Sequence, residues 1–125
     1  MKRRPWRVLI VDDHPGFRES VRFVLADDPQ FHIVAEAVSG EEGIALAQQH
    51  QPDLVLMDLR LPGINGLAAA ATIKSIQPEI IIMMLSSDWS EAHDRRAKAS
   101  GIHARIAKQQ FNLMEIYRQL NARQI

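Results

Sequence analysis

Three unbroken apolar runs constrain this chain more than any other feature: Val8-Leu9-Ile10-Val11, Leu54-Val55-Leu56-Met57 and Ile80-Ile81-Ile82-Met83-Met84-Leu85. A strand with one wet face alternates in polarity. Runs with no polar member read instead as strands buried on both faces, the pattern of a parallel sheet covered by helices. Each run stops at polar residues: Asp12-Asp13, Asp58 with Pro62-Gly63 close behind, and Ser86-Ser87-Asp88.

The segments between the runs have helical spacing. Pro15 opens the first helix where its missing N–H costs nothing, Phe17, Val21, Val24 and Leu25 form its buried face, and Asp27-Asp28-Pro29 ends it. Ser39-Gly40-Glu41-Glu42 matches a capping box, with Ser39 as cap and Glu42 reaching back, for a helix running to Gln51-Pro52. An Ala-rich helix over Leu67 to Ile76 follows the turn Gly63-Ile64-Asn65-Gly66. A polar helix spans about Ser90 to Ala99, and Asn112 with Glu115 caps a last one whose face is Leu113, Ile116, Tyr117 and Leu120. Two weaker strands, His32 to Ala37 and His103 to Ala107, complete five alternations of strand and helix. The fold class is therefore α/β, a doubly wound five-stranded parallel sheet. The flavodoxin-like order 2-1-3-4-5 puts the two mixed strands at the edges.

The chain's 125 residues suit one domain over 1–125, and 46% hydrophobic with 24% charged residues is globular. Fifteen basic residues balance fifteen acidic ones, so no global field favours nucleic acid or an anionic membrane. Arg3, Arg4 and Arg7 read as a solvated start. The lack of cysteine removes thiolate chemistry and cysteine-ligated zinc. The basic N-terminus has no apolar stretch long enough for a signal peptide, and the run from Ile80 to Leu85 is too short to span a bilayer. A cytoplasmic protein is expected.

On that frame Asp12 and Asp13 end strand one, Asp58 strand three, Ser86 strand four and Lys108 strand five. All five fall on the rim where open α/β sheets bind ligands. Three carboxylates crowd there. At 4 Å two like charges repel by about 4 kcal/mol at a protein-surface dielectric, so a cation belongs among them. Carboxylate donors with room for water and phosphate oxygens fit Mg²⁺ better than zinc or a calcium cage. An aspartate beside Mg²⁺, a lysine and a hydroxyl is a nucleophile for phosphoryl transfer, with Lys108 and Ser86 on the transferring group. His14 reads as a turn residue, since the five histidines share no ligand spacing.

Val11-Asp12-Asp13-His14-Pro15, Met57-Asp58-Leu59-Arg60-Leu61-Pro62-Gly63, Ser86 and Lys108 resemble the receiver (CheY-like) domain of bacterial two-component response regulators, over essentially the whole chain. Asp-Asp-His-Pro, Gly40-Glu41-Glu42-Gly43 and the final helix resemble receivers of NarL-like transcriptional regulators. The resemblance implies that Asp58 accepts phosphoryl from the phosphohistidine of a histidine kinase or phosphotransfer protein. It implies that Asp13, Asp58 and the Arg60 backbone carbonyl ligate Mg²⁺, with Asp12 acting through water. Ser86 and Lys108 would hold the phosphoryl oxygens and relay the state to a face over 90–122, which meets an output domain, a partner protein or a second copy.

Departures from the family lie in that relay. Arg105 stands where an aromatic residue is usual three positions before the lysine, and Gln109 where proline commonly follows it. The helix from Ser90 offers only Ala92, Ala97 and Ala99 as apolar contacts, with Trp89 ahead of it. Arg60 and Asp88 could pair across the mouth of the site and slow loss of phosphate. The rival readings are a phosphohydrolase, which would want an aspartate where Arg60 stands; a flavodoxin, which would want a Gly/Ser/Thr-rich loop after strand one; and a pseudo-receiver that only binds protein. No DNA-reading element is present, so this chain is not expected to bind DNA itself.

Overall fold

The computed structural model describes residues 4–102 and 104–123. Its elements are β1 (Trp6–Val11), α1 (Pro15–Ala26), β2 (Phe31–Ala37), α2 (Gly40–His50), β3 (Leu54–Asp58), α3 (Gly66–Ile76), β4 (Ile81–Ser86), α4 (Glu91–Ala99), β5 (Ala104–Ala107) and α5 (Leu113–Arg123), with one 3₁₀ turn at Lys108–Gln110. All strand pairs are parallel and the order is β2-β1-β3-β4-β5, as the sequence indicated.

The apolar runs are buried on both faces because alternate residues serve different cores. Leu9, Val11, Val55, Met57, Ile82 and Met84 face α2, α3 and α4. Val8, Ile10, Leu54, Leu56, Met83 and Leu85 face α1 and α5, where Val21, Leu25, Ile116 and Leu120 meet them. The helix α4 contributes one buried side chain, Ala97, while Ala92 and Ala99 are exposed. Trp89 packs on the core just ahead of it. What α4 lacks in burial it gains in caps: Ser90 Oγ accepts from the His93 N–H and the His93 ring accepts from the Ser90 N–H.

Several local expectations are corrected. Ile80 precedes β4, because its N–H turns back to the Gln77 carbonyl. The strands β1 and β2 begin earlier, at Trp6 and Phe31. Glu42 does reach back, but to the Val38 N–H at 2.7 Å, one residue beyond the cap. His103 and Arg3 lie outside the described residues. Arg4 and Arg7 are not merely solvated. Arg4 makes a two-pronged contact with Asp53 at 3.1 and 3.2 Å. Arg7 donates to the carbonyls of His50 and Gln51 at 2.7 and 2.8 Å, closing the end of α2 with a cation where the helix dipole is negative. On the same rim Lys74 Nζ donates to the Ile80 carbonyl at 2.6 Å.

Candidate functional site

The opposite rim, at the carboxyl ends of the strands, gathers the predicted residues. Asp12 follows β1 and is fully buried; Asp58 is the last residue of β3 and 3% exposed; Ser86 is the last of β4 and 1% exposed. Asp13 stands beside them half-buried. Lys108 opens the turn after β5 and reaches back, its Nζ 2.7 Å from Asp12 Oδ2 and 3.3 Å from Asp58 Oδ1. The Phe17 ring lies 4.6 Å from the same ammonium, so α1 covers the lysine from one side. The structure thus brings Asp12, Asp13, Asp58 and Lys108 together, with Ser86 on the adjoining strand end. Ser87 is the exposed one of the serine pair.

Two features hold the Asp58 tip. Gly66, the first residue of α3, donates to the Leu59 carbonyl, and a Cβ there would stand 1.9 Å from the Asp58 carbonyl oxygen. No side chain fits between the helix and the strand end. The Arg60 N–H bends back to Asp58 Oδ1 at 3.3 Å, while the Arg60 side chain forms a two-pronged pair with Asp88 at 2.6 and 3.3 Å. That pair stands beside Asp58, as the sequence suggested.

Burial pushes the Asp58 carboxyl above its ordinary range; the Asp12 charge pushes the same way, and Lys108 opposes both. One oxygen, Oδ1, has Lys108 and the Arg60 N–H. The other, Oδ2, is buried without a hydrogen-bond partner, as is Ser86 Oγ. Buried polar atoms are rarely left so, and three carboxylates against one lysine leave an excess of negative charge. The donor set therefore fits a hard divalent cation with phosphate oxygens beside it.

Sequence reasoning did not assign His14 and Gly66 to the site, and it named Arg105 and Gln109 without their contacts. His14 caps no N–H with its side chain, yet its Nδ1 stands 3.1 Å from Asp12 Oδ1 and 3.3 Å from Asp13 Oδ1. Gly66 looked like any turn glycine. Arg105 is exposed, and its guanidinium lies 5.6 Å from the centre of the Trp89 ring. Gln109 donates to the Ser87 carbonyl at 3.5 Å, joining the lysine turn to the tip of β4. Adjacency to Asp12-Asp13 was the one available signal for His14; the others needed the tertiary fold.

A five-stranded 2-1-3-4-5 sheet with an acidic pocket, a lysine and a serine on its carboxyl rim defines a receiver-type signalling domain. The model for the response regulator receiver domain matches residues 8–121, and the chain belongs to that family. It is 31% identical over 103 residues to the transcriptional regulatory protein DegU of Brevibacillus brevis, covering 82% of this chain and 44% of DegU. It is 38% identical over 87 residues to the nitrate/nitrite response regulator NarL of Escherichia coli K12, covering 68% of this chain and 40% of NarL. The receiver domain of a putative NarL response regulator from Mycobacterium tuberculosis superposes with a TM-score of 0.86 at 28% identity, covering 96% of this chain and 97% of that one. The chain spans under half the length of those two curated relatives. No helix among the described residues is long and apolar enough to cross a membrane.

Proposed function

We propose that the chain, residues 1–125, is a phosphoacceptor receiver of a two-component system and that Asp58 carries the phosphoryl group. The observation that carries the reading is the split environment of Asp58: Oδ1 is fixed by Lys108 and the Arg60 N–H, while Oδ2 is buried and unpartnered. A carboxylate with one oxygen anchored presents the other in a single orientation, which is what nucleophilic attack requires. Asp58 Oδ2 attacks the phosphorus of a phosphohistidine on a histidine kinase or phosphotransfer protein. The new O–P bond forms as the N–P bond breaks, and the imidazole nitrogen keeps the electron pair.

Asp13, Asp58 and the Arg60 carbonyl would hold Mg²⁺, with Asp12 behind them through water. Bound there, Mg²⁺ supplies positive charge to the phosphoryl oxygens. Lys108 exchanges part of its hold on the carboxylates for a phosphoryl oxygen, and the Ser86 hydroxyl donates to another. That exchange moves the lysine turn and, through Gln109 and Ser87, the tip of β4, which leads into Trp89 and α4. The state reaches the 90–122 face, where an output domain, a partner protein or a second copy would read it in the cytoplasm. The Arg105–Trp89 stack occupies the relay in place of the usual aromatic residue on β5.

Incubation with Mg²⁺ and acetyl phosphate, or beryllium fluoride, tests the reading beside Asp58→Asn. One phosphoryl mass or a fluoride adduct on the wild type, lost in the variant, is expected. An unmodified wild type that also fails to bind Mg²⁺ would sink the phosphorelay and leave a protein-binding pseudo-receiver.

A further inference from the structure

We infer that His14 is a nitrogen donor to the ion in the acidic pocket and tunes the pocket toward first-row transition metals, Mn²⁺ to Ni²⁺, over Mg²⁺. The inference rests on the pocket being a cation site. Two features point to an ion there: Asp58 Oδ2 is buried with no hydrogen bond, and a ring nitrogen stands among carboxylates from two strand ends.

The donor atoms converge to somewhat wider than the spacing of a coordination sphere, so small side-chain shifts would close them on one ion. Two donors about 2.1 Å from one octahedral ion and at right angles stand about 3.0 Å apart, and opposite donors about 4.2 Å. His14 Nδ1 lies 3.3 Å from Asp13 Oδ1 and 3.8 Å from Asp58 Oδ2, and donor atoms of Asp12, Asp13, His14 and Asp58 all fall within 4.8 Å of one another. The backbone aims the ring. The His14 N–H donates to Asp12 Oδ1 at 2.8 Å, the His14 carbonyl accepts from Phe17 and Arg18, and Pro15 fixes the next residue. Only the two side-chain torsions remain to seat Nδ1, and the side chain is 63% exposed, so the ring joins a complex without emptying a packed position.

The chemistry follows from the donor. Carboxylates and carbonyls suit Mg²⁺, whereas imidazole suits the later divalent ions and adds affinity along the series from Mn²⁺ to Ni²⁺.

Binding of Mn²⁺, Ni²⁺ and Mg²⁺ alone would be measured by calorimetry on the wild type, His14→Gln and Asp58→Asn. Electron spin-echo spectroscopy of the Mn²⁺ form would report a directly bound nitrogen. The expected result is a ¹⁴N modulation in the wild type that disappears in His14→Gln. That variant should lose tenfold or more in Ni²⁺ affinity and less than twofold in Mg²⁺ affinity. Bound Mn²⁺ with no nitrogen coupling, or equal losses for all ions in His14→Gln, would overturn the assignment while leaving the cation site standing. Failure of every ion to bind the wild type would overturn both the assignment and the cation site.

Discussion

Asp58→Asn should make the metal-free protein more stable, and the size of the gain can be worked from the site. At an effective dielectric of about 20, Lys108 at 3.3 Å attracts the Asp58 carboxylate by about 5 kcal/mol. Asp12 and Asp13, with donor atoms no more than 4.8 Å from those of Asp58, each repel it by about 3.5 kcal/mol. The Asp13 side chain is 35% exposed, so its share is roughly halved by solvent, and the repulsion comes to about 5 kcal/mol. The charges thus nearly cancel, leaving the desolvation of a carboxylate that is 3% exposed. That penalty is several kcal/mol, and the Arg60 N–H offsets about 2 of it. Asparagine keeps the shape and removes the charge.

The expected gain is about 1–3 kcal/mol at pH 7, or roughly 4–11 °C in the melting midpoint for a domain of this size. The sign with pH follows from the upward shift at Asp58. A carboxyl whose folded-state pKa is raised costs stability progressively as pH rises from its ordinary value to the raised one, so the advantage of the variant grows across that window and is full above it. It closes as pH falls toward the ordinary value near 3.8. Urea or thermal unfolding in chelator, followed by circular dichroism, measures it. Mg²⁺ at ten times its dissociation constant should return about 1.4 kcal/mol to the wild type and less to the variant. A variant less stable than the wild type in chelator at pH 7 would mean that the lysine attraction outweighs burial, and the account of the site would be wrong.

Gly66→Ala should disturb the site by forcing α3 away from the Asp58 carbonyl, which the new Cβ would otherwise meet at 1.9 Å. A loss of 2 kcal/mol or more in unfolding free energy is expected by analogy with overpacked cores, together with weakened Mg²⁺ binding. Tyr117→Phe removes the 2.6 Å bond from the phenol to Asp28, at a cost of about 1 kcal/mol. Burial and that bond push the Tyr117 phenol up to about 12, so its contribution is full below pH 10 and lost between pH 10 and 12. The variant's unfolding curve should lack that decline. Arg60→Ala opens the salt bridge to Asp88; both side chains are well exposed, so stability should change by under 1 kcal/mol. The half-life of the phosphorylated form should shorten severalfold as water gains access, and an unchanged half-life would remove the pair from the mechanism.

The parts of the molecule legible in the sequence are those where burial and chain order act alone. The run Leu54 to Met57 ending at Asp58 required an interior strand and a carboxylate at its tip, and the structure has both. The edge strands were placed less well, because Phe31 follows a turn and is hidden among polar neighbours. Side-chain direction was illegible. Nothing in Asp12-Asp13-His14 says which way the ring swings, and nothing near Arg4 announces Asp53, which lies 49 residues away. The His93 cap was missed because an imidazole acceptor is rare in the place of Glu or Gln.

The arginines at the foot of the sheet have an effect at long range. Arg4, Arg7 and Lys74 gather at the end where β3 begins and α2 and α3 finish, while Asp12, Asp13 and Asp58 gather at the other. Asp53 answers Arg4 at the foot and Lys108 answers two of the carboxylates at the mouth, so what a formal net charge of zero leaves is a small residual excess of negative charge at the mouth. A neutral sphere tumbles past its partners at random, but a dipole turns in the field of an approaching cation or charged surface before contact. Any bias of positively charged partners toward the acidic mouth would be small and should fade as salt shortens the reach of the field to about 8 Å at physiological ionic strength.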